Sequence, residues 1–184
     1  MEIKPKKKLG QNFLINEKIL NNIVKIGNIT DKDNILEIGP GTGNLTKYLV
    51  SAKPKSITVI EKDNELSSYL SLKYKGCIKI INGDVLELPE NFFLKKRFKV
   101  FGNLPYNIST KILSNWCLNK KIKFERLVLM FQKEVADRIV ANVNTKDYSR
   151  ITVLANWKFK IQKKFDISPS NFYPVPKIQS SVLD

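Results

Sequence analysis

The sequence predicts an α/β protein: a doubly wound, mainly parallel sheet of seven strands flanked by helices. Two observations carry that expectation. Apolar runs of strand length alternate with helical patterns nearly from end to end, as crossovers between parallel strands require. The first four strand runs also end in glycines, acids or a polar-aromatic turn, and in such sheets ligands sit beyond the carboxyl ends of the strands.

Each element follows from its own residues. Asn16 is placed to cap a first helix with Ile19, Leu20, Ile23 and Val24 on one face and Gly27 at its end. Asn34 to Ile38 reads as a strand, followed by the loop Gly39-Pro40-Gly41-Thr42-Gly43 and a helix marked by Leu45, Tyr48 and Leu49. Ile57 to Ile60 is a second strand ending at Glu61, and Leu66, Tyr69 and Leu70 mark the helix after it. Lys79 to Ile81 is a third, ending near Asp84, and Phe98 to Phe101 a fourth. Ser109 is read as the cap of a helix bearing Ile112, Leu113 and Trp116. Leu127 to Phe131 is the fifth strand, followed by a helix with Val135, Ile139 and Val140. Residues 149–157 read as helix, Ile161 to Ile167 as extended, and Ser180 to Leu183 as the last strand. No repeat, linker or low-complexity segment interrupts the pattern.

At 184 residues one domain is expected, long enough to bury a sizeable core. A composition 42% hydrophobic and 27% charged argues against disorder. No apolar stretch approaches the ~20 residues that span a bilayer, and MEIKPKKKLG lacks the apolar segment of a secretory signal. Cys77 and Cys117 match no metal spacing, so free thiols in a cytoplasmic protein are expected. An organelle address upstream of Met1 stays open. With no histidine in the chain, Ser-His and Cys-His nucleophiles and His-based zinc sites are excluded. Thirty-two Lys and Arg against seventeen Asp and Glu leave a charge of +15, which favours a polyanionic partner, RNA or DNA. A Lys-leaning codon bias is the alternative source for part of that excess.

The strand ends carry the chemistry. EIGPGTG lets backbone approach a ligand closely and opens a helix N-terminus, although a tight turn has the same composition. Its GxGxG spacing differs from the GxGxxG of dinucleotide folds. Glu61 stands where an acid accepts hydrogen bonds from ribose hydroxyls, or is simply a strand-end acid. Asp84 suits an adenine amino group, or caps a turn. Two acids and a glycine loop without a phosphate-binding lysine motif suit S-adenosyl-L-methionine. In FGNLPYN, Asn103 offers a side-chain carbonyl, and Pro105 holds Leu104 extended so that its carbonyl can be aimed. Two acceptors suit an exocyclic amino group with two N–H donors, and Tyr106 offers a face for stacking a base. Positioning then supplies the catalysis, without a general base. Phe172, in the stiff segment Phe172-Tyr173-Pro174-Val175-Pro176-Lys177, is a candidate for the base's other side; alternatively the prolines only break the chain before the last strand.

Taken together, LGQNFL (9–14), LEIGPGTGNLT (36–46), VIEKD (59–63), NGDVL (82–86), VFGNLPYNISTKIL (100–113), LVLMFQKEVADRI (127–139) and FYPVPKIQSSV (172–182) resemble the KsgA-type ribosomal RNA adenine N(6)-dimethyltransferases. These are S-adenosylmethionine enzymes with the Rossmann-like class I methyltransferase fold. The resemblance implies that Gln11, Asn12, Leu14, Gly39 and Gly41 line the cofactor site. Glu61 would take the ribose, Asp84 the adenine, and Asn103 borders both cofactor and substrate. Asn103 and the Leu104 carbonyl, stiffened by Pro105, would grip the target amino group, with Tyr106 and Phe172 sandwiching the base. It implies a monomer that needs no metal and no membrane and adds two methyls to each of two adjacent adenosines in a small-subunit rRNA hairpin. The macrolide-resistance enzymes, which modify a large-subunit adenine, share the glycine loop and an Asn-x-Pro-Tyr quartet; the Leu of NLPYN leans towards the small-subunit branch. A non-catalytic RNA-binding factor on the same fold is the alternative of another class, against which Asn103, Pro105 and Tyr106 argue. The family continues past its final strand into a small helical domain, whereas this chain stops at Asp184. The expectation is therefore a catalytic domain over 1–184 without that domain.

Overall fold

A computed structural model describes residues 4–184 of the chain. In chain order these form β1 (Phe13–Leu14), α1 (Glu17–Ile26), β2 (Asn34–Ile38), α2 (Asn44–Ser51), β3 (Ser56–Glu61), α3 (Asn64–Lys73) and β4 (Lys79–Asn82). Then come α4 (Glu90–Leu94), β5 (Phe98–Asn103), α5 (Tyr106–Leu118), β6 (Arg126–Gln132), α6 (Lys133–Ile139) and α7 (Arg150–Lys158). The chain closes with β7 (Lys163–Ile167), β8 (Phe172–Tyr173) and β9 (Ser180–Leu183).

Seven of the strands build one sheet in the order β4-β3-β2-β5-β6-β9-β7. The pairs from β4 to β6 are parallel, and β9 runs antiparallel to both β6 and β7. From β2 the chain winds outwards to β3 and β4, then returns to place β5 on the other side of β2. The order therefore reverses between β2 and β5, where an open α/β sheet has its crevice. Successive side chains of a strand point to opposite faces, and that alternation splits the core in two. Leu36, Val100 and Leu129 pack with Ile112, Trp116 and Ala155 on one face. Ile35, Phe101, Val128 and Met130 pack with Ile23, Leu45 and Leu49 on the other. Helices on both faces explain why β2, β3 and β5 are buried along nearly their whole length instead of alternating between buried and exposed.

One local expectation holds for a different reason, and one needs correcting. Asn16 does cap α1, accepting from the Lys18 and Ile19 backbone N–H at 3.0 and 3.2 Å. Gly27, however, is right-handed, with φ −64°. Its requirement is space: a Cβ there would lie 2.2 Å from Phe101 Cζ. Nor does Ser109 begin its helix. Pro105 occupies the N-cap and Tyr106 opens α5, so buried Ser109 falls within the first turn. Proline tolerates that place because the N–H it lacks has no intrahelical partner there. A further feature was not visible in the sequence: β1 and β8 pair as an antiparallel ribbon, Phe13 opposite Tyr173 and Leu14 opposite Phe172.

Candidate active site

Beyond the carboxyl ends of β2, β3, β4 and β5 lies a cleft, roofed on one side by residues 8–13. Gln11, Asn12, Gly39, Gly41, Glu61, Asp84, Asn103, Leu104, Pro105 and Tyr106 all line it. The sequence had singled out each of them, and parallel register brings them together. Ile38, Glu61 and Asn82 end neighbouring strands, so the loops after them open to the same edge.

The glycine loop forms one wall. Gly39 and Gly41 have φ of +64° and +58°, left-handed values that glycine adopts without a Cβ penalty. The Gly39 N–H donates to the Ile60 carbonyl at 3.0 Å. At Gly41 a Cβ would sit 2.7 Å from Phe13 Cδ1, so the ring of the roof segment rests on bare backbone.

Glu61 ends β3 and is 6% exposed. Its carboxylate accepts from the Gly41 N–H at 3.1 Å and from the Asp63 N–H at 2.9 Å. Burial pushes its pKa above the usual carboxylate range, and those two donors offset only part of the rise. Behind it, buried Glu37 accepts from Thr46 Oγ1 at 2.7 Å. Burial pushes Glu37 up to about 8. Asp84 is different again. Its Oδ1 accepts from the Leu86 N–H at 2.9 Å and caps a short turn, while Oδ2 pairs with Lys62 Nζ at 2.9 Å. Burial alone would raise its carboxyl, but the Lys62 and Leu86 hydrogen bonds hold it below the usual range. Of its two readings from sequence, the turn cap is met, and Asp84 also lines the cleft.

The roof is tied down by polar contacts. Lys6 Nζ meets Asp63 Oδ1 at 2.7 Å, and Gln11 Nε2 donates to Asp63 Oδ2 at 2.9 Å. Asp63 and Lys6 were not recognised from sequence, because no local pattern reports a contact across so many residues. On the far wall, Asn103 Nδ2 donates to the Asn12 carbonyl at 2.7 Å. That bond fixes which way the amide points and leaves Oδ1 as its acceptor. Pro105, at φ −56° and ψ 126°, turns the chain from β5 into α5. Tyr106 lies half-buried, its hydroxyl 2.6 Å from Ser180 Oγ.

Two expected residues sit elsewhere. Leu14 is buried behind the cleft, bordering a small cavity shared with Glu37, Gly39 and Asn103. Phe172 requires a correction: it is 1% exposed and packed in the core, so it offers no free face to a base. The ribbon explains this. Leu14 and Phe172 are directly opposed and share the inward side, while Phe13 and Tyr173 share the outer one. Among the described residues no group of three or more Cys, Asp or Glu is placed to hold a metal ion, and no helix is long and apolar enough to cross a membrane.

The cleft sets acceptors beside a glycine loop. Two carboxylates border it, one of them held by backbone N–H groups without a cation, beside a glycine wall open to close approach. A sheet of this order with acids at β3 and β4 and a glycine loop after β2 has the class I methyltransferase fold. The chain belongs to the ribosomal RNA adenine dimethylase family, whose model matches residues 3–184. It is 52% identical over 185 residues to the ribosomal RNA small subunit methyltransferase A of Pelagibacter ubique, covering all of this chain and 70% of that one. It is 46% identical over 178 residues to the protein of the same name from Malacoplasma penetrans, covering 96% of this chain and 64% of that one. Among solved structures, a dimethyladenosine transferase from Plasmodium falciparum superposes with a TM-score of 0.82 at 32% identity, over 93% of this chain and 62% of that one. The 23S rRNA methyltransferase ErmE gives a TM-score of 0.76 at 29% identity, over 93% and 68%. The chain thus spans roughly two thirds of the length of these relatives.

Proposed function

We propose that this chain is the catalytic domain of a cytoplasmic, monomeric enzyme. It transfers methyl groups from S-adenosyl-L-methionine to the 6-amino groups of two adjacent adenosines in small-subunit rRNA. The observation that carries the reading is the convergence of Gly39, Glu61, Asp84 and Asn103–Tyr106 on one cleft at the point where the strand order reverses. When bound, S-adenosylmethionine supplies a methyl group activated by the positive charge on its sulfur. Glu61 accepts hydrogen bonds from its ribose hydroxyls and Asp84 from its adenine amino group. Gly39 and Gly41 give its tail room against the backbone.

For the first methyl, Asn103 Oδ1 and the Leu104 carbonyl accept the two N–H donors of the target amino group; the singly methylated nitrogen keeps one N–H for one of these acceptors, and each transfer releases one proton to solvent. The amino nitrogen is a weak nucleophile because its lone pair is delocalised into the ring. Holding it by both hydrogens aims that lone pair, and positioning of this kind is worth several orders of magnitude in rate. Tyr106 stacks on the extruded base. Hairpin-loop bases are only partly stacked, which lowers the cost of extrusion, and the +15 charge favours approach to RNA.

Undermethylated small subunits incubated with labelled cofactor, then digested to nucleosides, test the reading. Dimethyladenosine is the expected product. Label appearing in large subunits alone would move the assignment to the macrolide-resistance branch, which the likeness to ErmE keeps in view. RNA binding with no cofactor binding would instead favour a non-catalytic factor.

A further inference from the structure

Ser180 lies outside the cleft, in the first position of β9, and is fully buried. It pairs in register with Gln132 of β6 and Ile167 of β7, so its backbone is fixed from both sides. The side-chain hydrogen bond it makes among the described residues is to Tyr106, at 2.6 Å between the two hydroxyl oxygens. Tyr106 lines the cleft while its hydroxyl reaches into the interior.

We propose that Ser180 is a positioning residue for methyl transfer, anchoring the hydroxyl of Tyr106 and so fixing where its ring stands in the cleft. The inference rests on the stacking role given to Tyr106 above. A tyrosine ring mounted only through Cβ swings about χ1 between staggered wells. A second attachment at the hydroxyl removes that swing, because the Cβ-to-oxygen axis is then held at both ends. Packing need fix only rotation about that axis. Burial raises the Tyr106 phenol above its usual pKa, so it keeps its proton and the anchor persists across the working pH range. The bond ties the start of α5 to the start of β9.

The test compares Ser180→Ala, Tyr106→Phe and the double variant in single-turnover transfer and in KM against kcat. Ser181→Ala is the control for fold: Ser181 is the next residue, equally buried, and its hydroxyl donates to Asp166 Oδ1 at 2.6 Å, away from the cleft. Loss of one neutral hydrogen bond from a ring that must be aimed predicts a fall of about three- to tenfold in kcat for Ser180→Ala. The double variant should be no slower than either single, cofactor affinity should be unchanged, and Ser181→Ala should lower stability while leaving kcat intact. Additive losses, or equal losses in Ser180→Ala and Ser181→Ala, would overturn the anchor. A second readout does not depend on turnover. With fluorotyrosine incorporated, the Tyr106 resonance, identified by its absence in Tyr106→Phe, should shift and broaden in Ser180→Ala but not in Ser181→Ala. An unmoved resonance overturns the anchor even if transfer occurs. If no form methylates small subunits, the proposed function falls while the resonance still decides the anchor.

Discussion

Strand β5 carries an ammonium near one end and an amide at the other, and the two ends are built on opposite plans. At the entry end, Lys99 Nζ meets Asp33 Oδ2 at 2.8 Å and donates to the Asn28 carbonyl at 2.8 Å. Asp33 also accepts from the Thr30 N–H at 2.6 Å, and both side chains are less than a tenth exposed. Charge is cancelled by charge, and the pair is closed. At the exit edge of the sheet, Glu61 of neighbouring β3 is as buried as Asp33, yet it is held by two backbone N–H groups and faces a cleft. A carboxylate supported by neutral donors keeps acceptor capacity for a ligand, whereas one spent on an internal cation does not. Buried acids therefore differ in meaning according to what holds them. The comparison predicts that changes at the entry end act on stability and changes at the exit end on binding and rate.

Lys99→Ala is the largest break. It strands Asp33 without its cation in the interior, and losing one partner of a buried pair costs about 3–5 kcal/mol. Chemical denaturation should show that loss, while transfer per folded molecule stays near the parent value. A comparable fall in intrinsic transfer would mean that the two ends of β5 are coupled. Asn103→Ala should do the reverse. Removing an acceptor that positions the reacting nitrogen is expected to slow single-turnover transfer by about a hundredfold. The denaturation midpoint and cofactor affinity should move little, since its amide bond to Asn12 is half-buried. Survival of turnover would end the two-acceptor account. Glu61→Ala comes third, with cofactor affinity falling about tenfold by calorimetry, as expected for loss of hydrogen bonds to a charged acceptor. Unchanged affinity would remove Glu61 from the ribose.

Much of this division was legible in the sequence, and the exceptions share a cause. The sheet, the glycine loop and the acids at 61 and 84 are each announced within a few residues, by periodicity or by what ends an apolar run. NLPYN was conspicuous for the same reason. What escaped depends on contacts between distant segments. The ribbon of β1 and β8 has two residues a side, too few to show alternation, and its register decides that Phe172 turns inward and Tyr173 outward. Asp63 caps α3, accepting from the Glu65 N–H at 3.0 Å. Nothing local says that it also holds Lys6 and Gln11 over the cleft. Gly27 reads as a helix-ending glycine, whereas the ring that demands it lies on β5.

The smallest expected effect sharpens the comparison most, because Lys62–Asp84 is an ion pair placed at the exit end. By the argument above a cation there should block a binding role, as it does for Asp33. The difference is exposure. Lys62 is 58% exposed in its side chain, so the pair is weak, worth about 1 kcal/mol or less, and a ligand donor can displace the ammonium at little cost. Lys62→Ala should therefore change cofactor affinity at neutral pH by less than about threefold. The pH profile should shift in a defined direction. Lys62 helps hold the Asp84 carboxyl below its usual range, so without it the carboxyl protonates at higher pH as the solution is acidified. Affinity in the variant should then fall away earlier on the acid side, between the lowered and the ordinary carboxylate pKa, and match the parent above that window. Titration of both forms by calorimetry across that range checks it. A loss of affinity at neutral pH as large as that of Glu61→Ala would mean that Lys62 itself touches the ligand, and that the exit end uses charge after all.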